Sequence, residues 1–447
     1  MKLRLLAVAF LTLVSSASSF ANVALKNGNF FMGYTDIIYP GGFEPKIERV
    51  YNSKTPFKGM FGWGWGNEYE VYLVVSADGS VVVHEYGGGA ENRFNPPTFN
   101  AAELQKAVDQ IGNVAKAAGL VPTAAQLDAY KAKLKSDAMF RNDEWQKFIA
   151  QKKLEPRKLA VNTQLVSNRF SFQYITRVAD GYLRVFENGK VEKFNDAGKL
   201  ARVQDKNGNF LEFSYSKEGL LSKVVDNFNR KIFFTFNSSR LLEKIDGENG
   251  KVASYKYNSA GDLIESKDVD GNVYRYEYSA DNRHNLTRIV YSDVDPATKK
   301  AATMDIAYYG KELFENVKSI KDKSGTFTEY TYKKDPSDKG HLNIGVNIKG
   351  KDGKIISSST YEYFNKYKAN GEEWTYRLVS TLDGDKTDTT YNECCGLPLL
   401  IKRNGEETAF EYNSRGQVTK KMTPSDVTEL TYDAKVSKVS RVVHYSK

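Results

Sequence analysis

The sequence predicts a mainly β protein, built from a repeated antiparallel sheet with a small α-helical insertion. Three observations lead to this prediction. The chain of 447 residues is rich in aromatic side chains, with 28 Tyr, 25 Phe and 4 Trp. An aromatic–x–aromatic element recurs through the second half of the chain at a fixed spacing. Proline, which cannot donate to a strand ladder, is scarce at 11 residues.

Residues 1–21 are predicted to be a secretory signal peptide. Lys2 and Arg4 precede an apolar run over 5–14, and small residues lead to Ala21. A charged start, a short apolar run and a small residue before the cleavage point are typical of export. The run is shorter than the ~20 residues that a transmembrane helix needs, and no later stretch is apolar enough to cross a membrane. We therefore expect the mature chain to begin near Asn22 and to contain no membrane span. It should be located in the periplasm, on the outer surface or outside the cell.

A period of 21 residues organises the second half of the chain. Two rings separated by one residue lie on the same face of a strand, and Gly or Asn supplies the positive φ of a tight turn. Each unit thus provides two short strands and two turns, and neighbouring units must stack to bury their aromatic face. Residues 161–447 are therefore predicted to form a β array. The in-phase markers are Tyr215, Phe236, Tyr257 and Tyr278 for the second aromatic, and Gly208, Asn229, Gly250 and Gly271 for the turn.

Several motifs resemble those of the Rhs/YD-repeat family. The family repeats a Tyr-Asp or Tyr-Asn dipeptide followed by Gly, as in Tyr257-Asn258-Ser259-Ala260-Gly261. Residues 22–99 look like the β segment that precedes the repeats in that family, and the resemblance covers about 22–99 and 165–447. The N-terminal motifs are Thr35-Asp36-Ile37, Arg49-Val50-Tyr51-Asn52-Ser53 and Gly59-x-Phe61-Gly62-Trp63-Gly64-Trp65.

The resemblance implies a sheet that winds into a curved strip or partial cocoon. Larger relatives enclose a toxin cargo or display the shell at a cell surface. This chain differs from the toxin form because its array is short, runs almost to Lys447 and contains no Asp-Pro-x-Gly-like segment. We expect an exported, non-catalytic shell protein that binds a surface glycan or protein, or that builds an envelope structure. Two alternatives stay open: the shell component of a multi-chain toxin or delivery assembly with a separately encoded cargo, and an enzyme acting on cell-envelope glycan.

Residues 100–160 break the β pattern and are predicted to be a helical insertion. Asn100, Thr123 and Asn142 are the candidate N-terminal caps of three helices with apolar side chains at helical spacing. The insertion is rich in basic residues, which form a candidate face for an acidic surface or partner; a solvated decoration and a plug over an open end of the shell are the alternatives. The basic residues are Lys131, Lys133, Lys135, Lys152, Lys153, Arg157 and Lys158.

Cys394 and Cys395 are adjacent and are the two cysteines of the chain. Neighbouring Cα atoms lie ~3.8 Å apart, which is closer than the ~4.4–6.8 Å usual for a disulfide, so a vicinal disulfide would be strained and easily reduced. Outside the cytoplasm, adjacent thiols nevertheless tend to oxidise. A vicinal disulfide, two reduced buried thiols and a bond to a partner chain all stay open.

The aromatic rows have two interpretations, namely the packed inner surface of a sheet or exposed rings that stack on sugar faces. The candidate stacking residues are Trp63, Trp65, Tyr257 and Tyr278, although the glycines around the two tryptophans favour packing. No nucleophile elbow, P-loop or dinucleotide motif is present, and the four histidines are scattered. Acidic residues such as Asp268 and Asp270 stand in turns, where Asp bonds the local backbone; calcium ligation is the alternative. The sequence therefore nominates no catalytic, cofactor or metal site, and a net charge of +9 does not by itself indicate nucleic acid.

Overall fold

The computed structural model of the chain describes residues 20–85, 90–96, 100–167, 173–281, 283–294, 299–367, 373–393, 396–433 and 438–447. Most of the predicted signal peptide and both cysteines lie outside these ranges. The fold is mainly β, as predicted, with a long antiparallel sheet and three helices. The division of the chain into four segments stays a prediction.

Two small sheets are built from the N-terminal strands. The larger has the order β1-β2-β3-β6 and the smaller pairs β4 with β5. We call residues 20–71, which contain both, the inner segment. Its strands are β1 (Phe20–Ala24), β2 (Asn29–Ile38), β3 (Lys46–Asn52), β4 (Lys58–Gly59), β5 (Gly62–Trp63) and β6 (Trp65–Asn67).

The long sheet follows chain order, each strand pairing antiparallel with the next from β7 to β34. It thus already starts within the 22–99 region, ahead of the helical insertion. The first part contains β7 (Tyr72–Val75), β8 (Val81–Glu85), β9 (Ala90–Asn95), β10 (Gln164–Ser167), β11 (Tyr174–Val178), β12 (Gly181–Val185), β13 (Val191–Phe194), β14 (Leu200–Gln204), β15 (Phe210–Tyr215), β16 (Leu221–Asp226), β17 (Lys231–Phe236), β18 (Leu242–Gly247), β19 (Val252–Tyr257), β20 (Leu263–Lys267) and β21 (Val273–Tyr278). The second part contains β22 (Leu286–Val294), β23 (Ala301–Tyr308), β24 (Val317–Lys321), β25 (Phe327–Lys334), β26 (His341–Lys349), β27 (Ile355–Tyr367), β28 (Glu373–Leu382), β29 (Asp385–Tyr391), β30 (Pro398–Arg403), β31 (Glu406–Tyr412), β32 (Val418–Met422), β33 (Asp426–Tyr432) and β34 (Val439–Ser446).

The long sheet curls around the inner segment without closing on itself. The Leu73 amide in β7 donates to the Gly198 carbonyl at 2.7 Å, which brings the first strand against the turn between β13 and β14. The inner segment lies on the concave face, where its apolar side chains and those of the array form one core cluster. Bonds between the two extend from β28, where Lys26 Nζ donates to Thr375 Oγ1 at 3.0 Å, to the β16–β17 turn, where Arg230 donates to Pro40 O at 2.7 Å.

Repeat turns have the backbone conformation that the 21-residue period predicts. The second aromatic also ties strands together, because the Tyr215 hydroxyl donates to Leu200 O at 2.8 Å and the Tyr257 hydroxyl donates to Leu242 O at 2.7 Å. The same bond recurs at Tyr412 and Tyr432, where the spacing is looser. The turn markers have φ of +88° at Gly208, +62° at Asn229, +75° at Gly250 and +89° at Gly271.

The helices are α1 (Ala101–Ala117), α2 (Ala124–Ser136) and α3 (Ala138–Ala150). Asn100 caps α1 and Thr123 forms a capping box with Gln126 at α2, as predicted. The predicted start of the third helix after Asn142 is wrong, because the Asp137 side chain accepts the Phe140 amide and α3 begins one turn earlier. The helices pack around a second apolar cluster that includes Ala77 of the β7–β8 turn. Within the described residues, no helix has the length and hydrophobicity to span a membrane.

Burial falls steeply along the array. The core cluster runs through β26, where Ile344 is fully buried. Beyond Val346, Val379 and Val427 are the described apolar residues that are buried. The last strands therefore form a single layer in which the described apolar residues, apart from Val427, are half-buried or exposed.

Candidate functional site: the groove between the inner segment and the repeats

A buried ion pair fastens the inner segment to the array. Arg49 Nε donates to Asp36 Oδ2 at 2.7 Å, and both side chains are fully buried. The other Arg49 nitrogens donate to Tyr276 Oη at 2.9 Å and Ser266 Oγ at 2.7 Å, and Tyr255 Oη donates to Asp36 Oδ2 at 2.8 Å. Because each partner belongs to a different strand, the pair fixes β2 and β3 against three consecutive strands of the array.

The glycine- and tryptophan-rich motif brings β5 against a repeat turn. Gly62 has φ of +89°, and a Cβ there would stand 2.3 Å from the Gly261 carbonyl oxygen, so only glycine allows this approach. Trp63 Nε1 donates to Ala260 O at 3.0 Å, and its ring stacks on His284 at 4.6 Å between centroids. The motif therefore holds the inner segment against this turn of the array.

Two neighbouring cavities follow the seam beside this contact. One has a volume of about 590 Å³ and lies between residues 57–60 and 69–72 of the chain's N-terminal part and the strand ends and turns of the array near 215–221 and 236–241. The other, of about 500 Å³, continues along the turns to Gly261. They share Lys58, Ser239 and Leu241, and we call them together the seam groove.

Glu70 lines the seam groove and is incompletely satisfied. Its Oε1 accepts the Met60 amide at 2.6 Å, while the buried Oε2 has no hydrogen-bond partner among the described residues. Burial raises the pKa of Glu70 to about 8. Burial therefore favours the protonated, uncharged form of this side chain, and its Oε2 has almost no surface accessible to a bound molecule.

Three cations of the seam groove contact carbonyl oxygens rather than carboxylates within the described part of the chain. Arg240 donates to Glu218 O at 3.0 Å, Lys58 to Ala260 O at 3.5 Å, and Lys199 donates to the Gly219 carbonyl. Burial, with a further effect of Arg240, lowers the pKa of Lys199. The seam groove therefore contains these three cations together with the Glu243 carboxylate, which also lines it.

The candidate stacking residues differ in exposure. Trp65 is fully buried and donates from Nε1 to Tyr278 Oη at 2.9 Å, so in this structure both take part in packing. Trp63 and Tyr257 are half-buried, and Tyr257 lines the seam groove. Sugar stacking at these positions stays a prediction. Sequence reasoning missed Glu70, Lys199 and Arg240.

The predicted basic face contains residues that already have partners. Lys131 pairs with Asp109 at 2.8 Å, and Arg157 pairs with Glu103 and donates to Ala77 O at 2.8 Å. These two therefore join the helices to one another and to the sheet. The remaining lysines of the set, Lys133, Lys135, Lys152, Lys153 and Lys158, are exposed, and partner binding there stays a prediction.

The acidic turns behave as their sequence predicts. Asp268 Oδ1 accepts the amides of Asp270 and Asn272, which closes the turn. The described histidines are each placed beside a carboxylate, for example His284 with Asp262 at 2.6 Å and His84 with Glu91 at 3.0 Å, and they do not gather into one site.

Cys394 and Cys395 lie outside the described residues, so their redox state stays a prediction.

Family models match two parts of the chain. A domain of unknown function (DUF6531) matches residues 21–94, and the RHS Repeat matches residues 257–293. Among curated proteins, none matches the sequence.

Solved structures of Tc toxin components are similar over most of this chain. They include TcdB2-TccC3 without its hypervariable C-terminal region (11% identity, 93% of this chain, 22% of that chain, TM-score 0.38), and TcdB2-TccC3 (10% identity, 94% of this chain, 23% of that chain, TM-score 0.39). The Photorhabdus luminescens Tc holotoxin pore is a third (10% identity, 94% of this chain, 26% of that chain, TM-score 0.27). This chain spans about a quarter of their length or less.

The family assignment depends on features of this chain and on the model matches. The 21-residue period has tyrosine hydroxyl bonds and positive-φ turns in phase, and one repeat unit falls within the RHS Repeat match. The chain therefore contains repeats of the Rhs/YD type.

Proposed function

We propose that this protein is an exported, non-catalytic β-shell protein that binds a surface ligand, glycan or protein, along the seam between its inner segment and its repeats. One observation supports this function. The chain's own inner segment occupies the concave face of the array, so a ligand would bind at the seam between the two. The seam cavities, at about 500 and 590 Å³, fall within the ~300–1,000 Å³ typical of small-ligand sites.

Export is part of the proposal. It is supported by the charged start, the apolar run and the small residues over 1–21. A shell delivered to the cell surface or beyond would meet polysaccharides and envelope proteins as its first partners. Fractionation of cells that express the full chain, with N-terminal sequencing of the exported form, tests this step; a start near Asn22 supports it, and retention of an uncleaved chain in the cytoplasm contradicts it.

A glycan array and a pull-down on the mature chain test the binding function. Retention of an oligosaccharide class or of an envelope protein supports it, and the absence of both contradicts it. Incubation with cell-wall and polysaccharide substrates tests the non-catalytic part, since turnover by the purified chain would establish an enzyme instead.

The second candidate is a shell component of a multi-chain delivery assembly. It is favoured by the single layer at the C-terminal end of the array, where the last strand exposes Val439, Val442 and Tyr445. A sheet edge offers backbone donors and acceptors to another chain. Co-purification with a protein encoded next to this one, stable in gel filtration, would support this function over the first.

A further inference from the structure

We propose that the inner segment contains a second binding site, for a small aromatic amine, on the outer face of its larger sheet. The outer face is the one opposite to the contacts that Arg49 makes with the repeats. The site is separate from the seam groove, so this inference goes beyond the proposed function and does not depend on it. Three features support it, namely the two-faced sheet, a cavity with an apolar floor and a carboxylate without a partner.

The larger sheet of the inner segment has two faces with different surroundings. Arg49 and Trp65 point to the repeats, where they donate to Ser266 Oγ at 2.7 Å and to Tyr278 Oη at 2.9 Å. Successive residues of a strand point to opposite faces, and β3 accordingly alternates between buried and half-buried residues. The half-buried residues belong to the outer face, opposite to the one that contacts β20 and β21.

A cavity of about 400 Å³ lies on the outer face. It is lined by Phe31 of β2, Val50 of β3 and Gly66 of β6, and Val50 and Gly66 are partners across the two strands. Because glycine has no side chain, the strand surface beside Val50 is flat at this point. A flat apolar surface next to an aromatic ring suits a planar aromatic body, and the volume falls within the ~300–1,000 Å³ typical of small-ligand sites.

One carboxylate of the cavity is in excess. The charged residues that line it are Lys46, Glu48 and Glu68. Lys46 Nζ lies 2.7 Å from Glu48 Oε2, so these two charges compensate each other. The half-buried Glu68 carboxylate forms no ion pair or hydrogen bond within the described part of the chain. Lys190 also acts on Glu68, but its ammonium is paired with Glu192 at 2.8 Å.

A ligand cation would supply the partner that Glu68 lacks. Burial raises the pKa of Glu68, Lys46 and Lys190 oppose this rise, and Glu48 adds to it. An ammonium group placed beside the carboxylate would favour its charged form and offset the cost of burial. The cavity should therefore select an amine with a planar apolar body over neutral or anionic molecules of the same shape.

Three probes that differ in one group test the inference on the mature chain. Tryptamine, tryptophol and indole-3-propionate share an indole ring and a two-carbon linker, and they end in an ammonium, a hydroxyl and a carboxylate. We expect calorimetric titration to show the tightest binding for tryptamine and the weakest for indole-3-propionate. Glu68→Gln should weaken tryptamine about tenfold, the loss of one charged hydrogen bond, and leave tryptophol unchanged. Phe31→Leu should weaken both.

Glu243→Gln is the matched control, because Glu243 is an exposed carboxylate that lines the seam groove instead. It should bind all three probes as the wild type does. Loss of tryptamine binding in Glu243→Gln but not in Glu68→Gln would place the amine in the seam groove and overturn the inference. Equal affinity of the wild type for the ammonium and carboxylate probes, or no binding of any probe, would also overturn it.

Discussion

A few buried polar side chains form hydrogen bonds that connect the inner segment to the array. Each of the three Arg49 nitrogens donates to a partner on a different strand, namely Asp36, Tyr276 and Ser266. A buried ion pair contributes less to stability than its close contacts suggest, because desolvation offsets the attraction. Its main consequence here is positional: the pair admits one register of the inner sheet against the repeats.

Glu70 predicts a pH-dependent stability. The pKa of Glu70 is raised by burial to about 8, from an ordinary value of 4.5. A raised pKa stabilises the fold fully below the unfolded-state pKa, and this contribution disappears as pH rises through the folded-state value. We therefore expect Glu70→Gln to match the wild type at pH 4 and to exceed its free energy of unfolding at pH 9 by on the order of 5 kcal/mol.

Urea unfolding of both proteins across this pH range measures the effect. Glu243→Gln provides the control, since Glu243 is an exposed carboxylate lining the same groove, and it should follow the wild-type curve at every pH. Parallel curves for Glu70→Gln and the wild type would show that Glu70 is ionised in the fold at neutral pH, contrary to its unpartnered buried oxygen.

At the scale of elements, the repeat could be predicted because the residues that specify each strand and turn lie close together in the sequence. The turn residue and the aromatic pair recur from unit to unit, as at Phe213/Tyr215 and Tyr255/Tyr257, and both are short-range signals for strand and turn. The helix caps at Asn100 and Thr123 are equally local and were found. The start of α3 was missed because Asp137 and Asn142 are both suitable caps, and only the packing of the Trp145 face selects between them.

The groove could not be predicted in the same way. Glu70 is separated from Phe236 by more than 160 positions, and its unpaired oxygen depends on how β6 and β7 meet the array. Arg240 did leave a sequence signal, because it interrupts a glycine series of period 21. Each repeat has two turns, and the glycine series becomes visible only when the turns that contain Gly198, Gly219 and Gly261 are aligned separately from the other set.

Arg240→Gly is expected to stabilise the fold. Glycine restores the residue that the neighbouring repeats use at this turn and removes the strain of φ at +63°. After the greater freedom of glycine in the unfolded chain is included, we expect a gain of about 0.5–1 kcal/mol in the free energy of unfolding. Chemical unfolding measures this gain. Arg240→Ala keeps the strained turn and serves as the control, with no gain. A loss in Arg240→Gly equal to that of the alanine variant would show that the side chain supports the fold.

At the scale of the whole molecule, the layering of the sheet changes along its length. Most of the buried apolar residues of β7 to β26 belong to the core cluster shared with the inner segment, whereas in β29–β34 Val427 is the one described apolar residue that is buried. The strands at both ends of the long sheet form the same antiparallel backbone hydrogen bonds. The two ends therefore differ in how much apolar surface they bury. Burial, rather than hydrogen bonding, should therefore set the order in which parts of the sheet open.

Hydrogen exchange on the intact chain tests this order, and the two ends of the sheet provide an internal comparison. Both β7 and β34 are terminal strands, but Leu73, Val81 and Val83 near the first end are buried, while Val439, Val442 and Tyr445 at the other are exposed. We expect amides of β30–β34 to exchange by local opening at least tenfold faster than those of β7–β9, and those of β15–β22 to exchange only through global unfolding. If exposure of the strand edge alone governed opening, both ends would exchange alike, and equal protection would contradict the role of the second layer. Addition of a partner that covers the C-terminal strands should slow their exchange selectively, because it would supply the layer that the chain itself provides elsewhere.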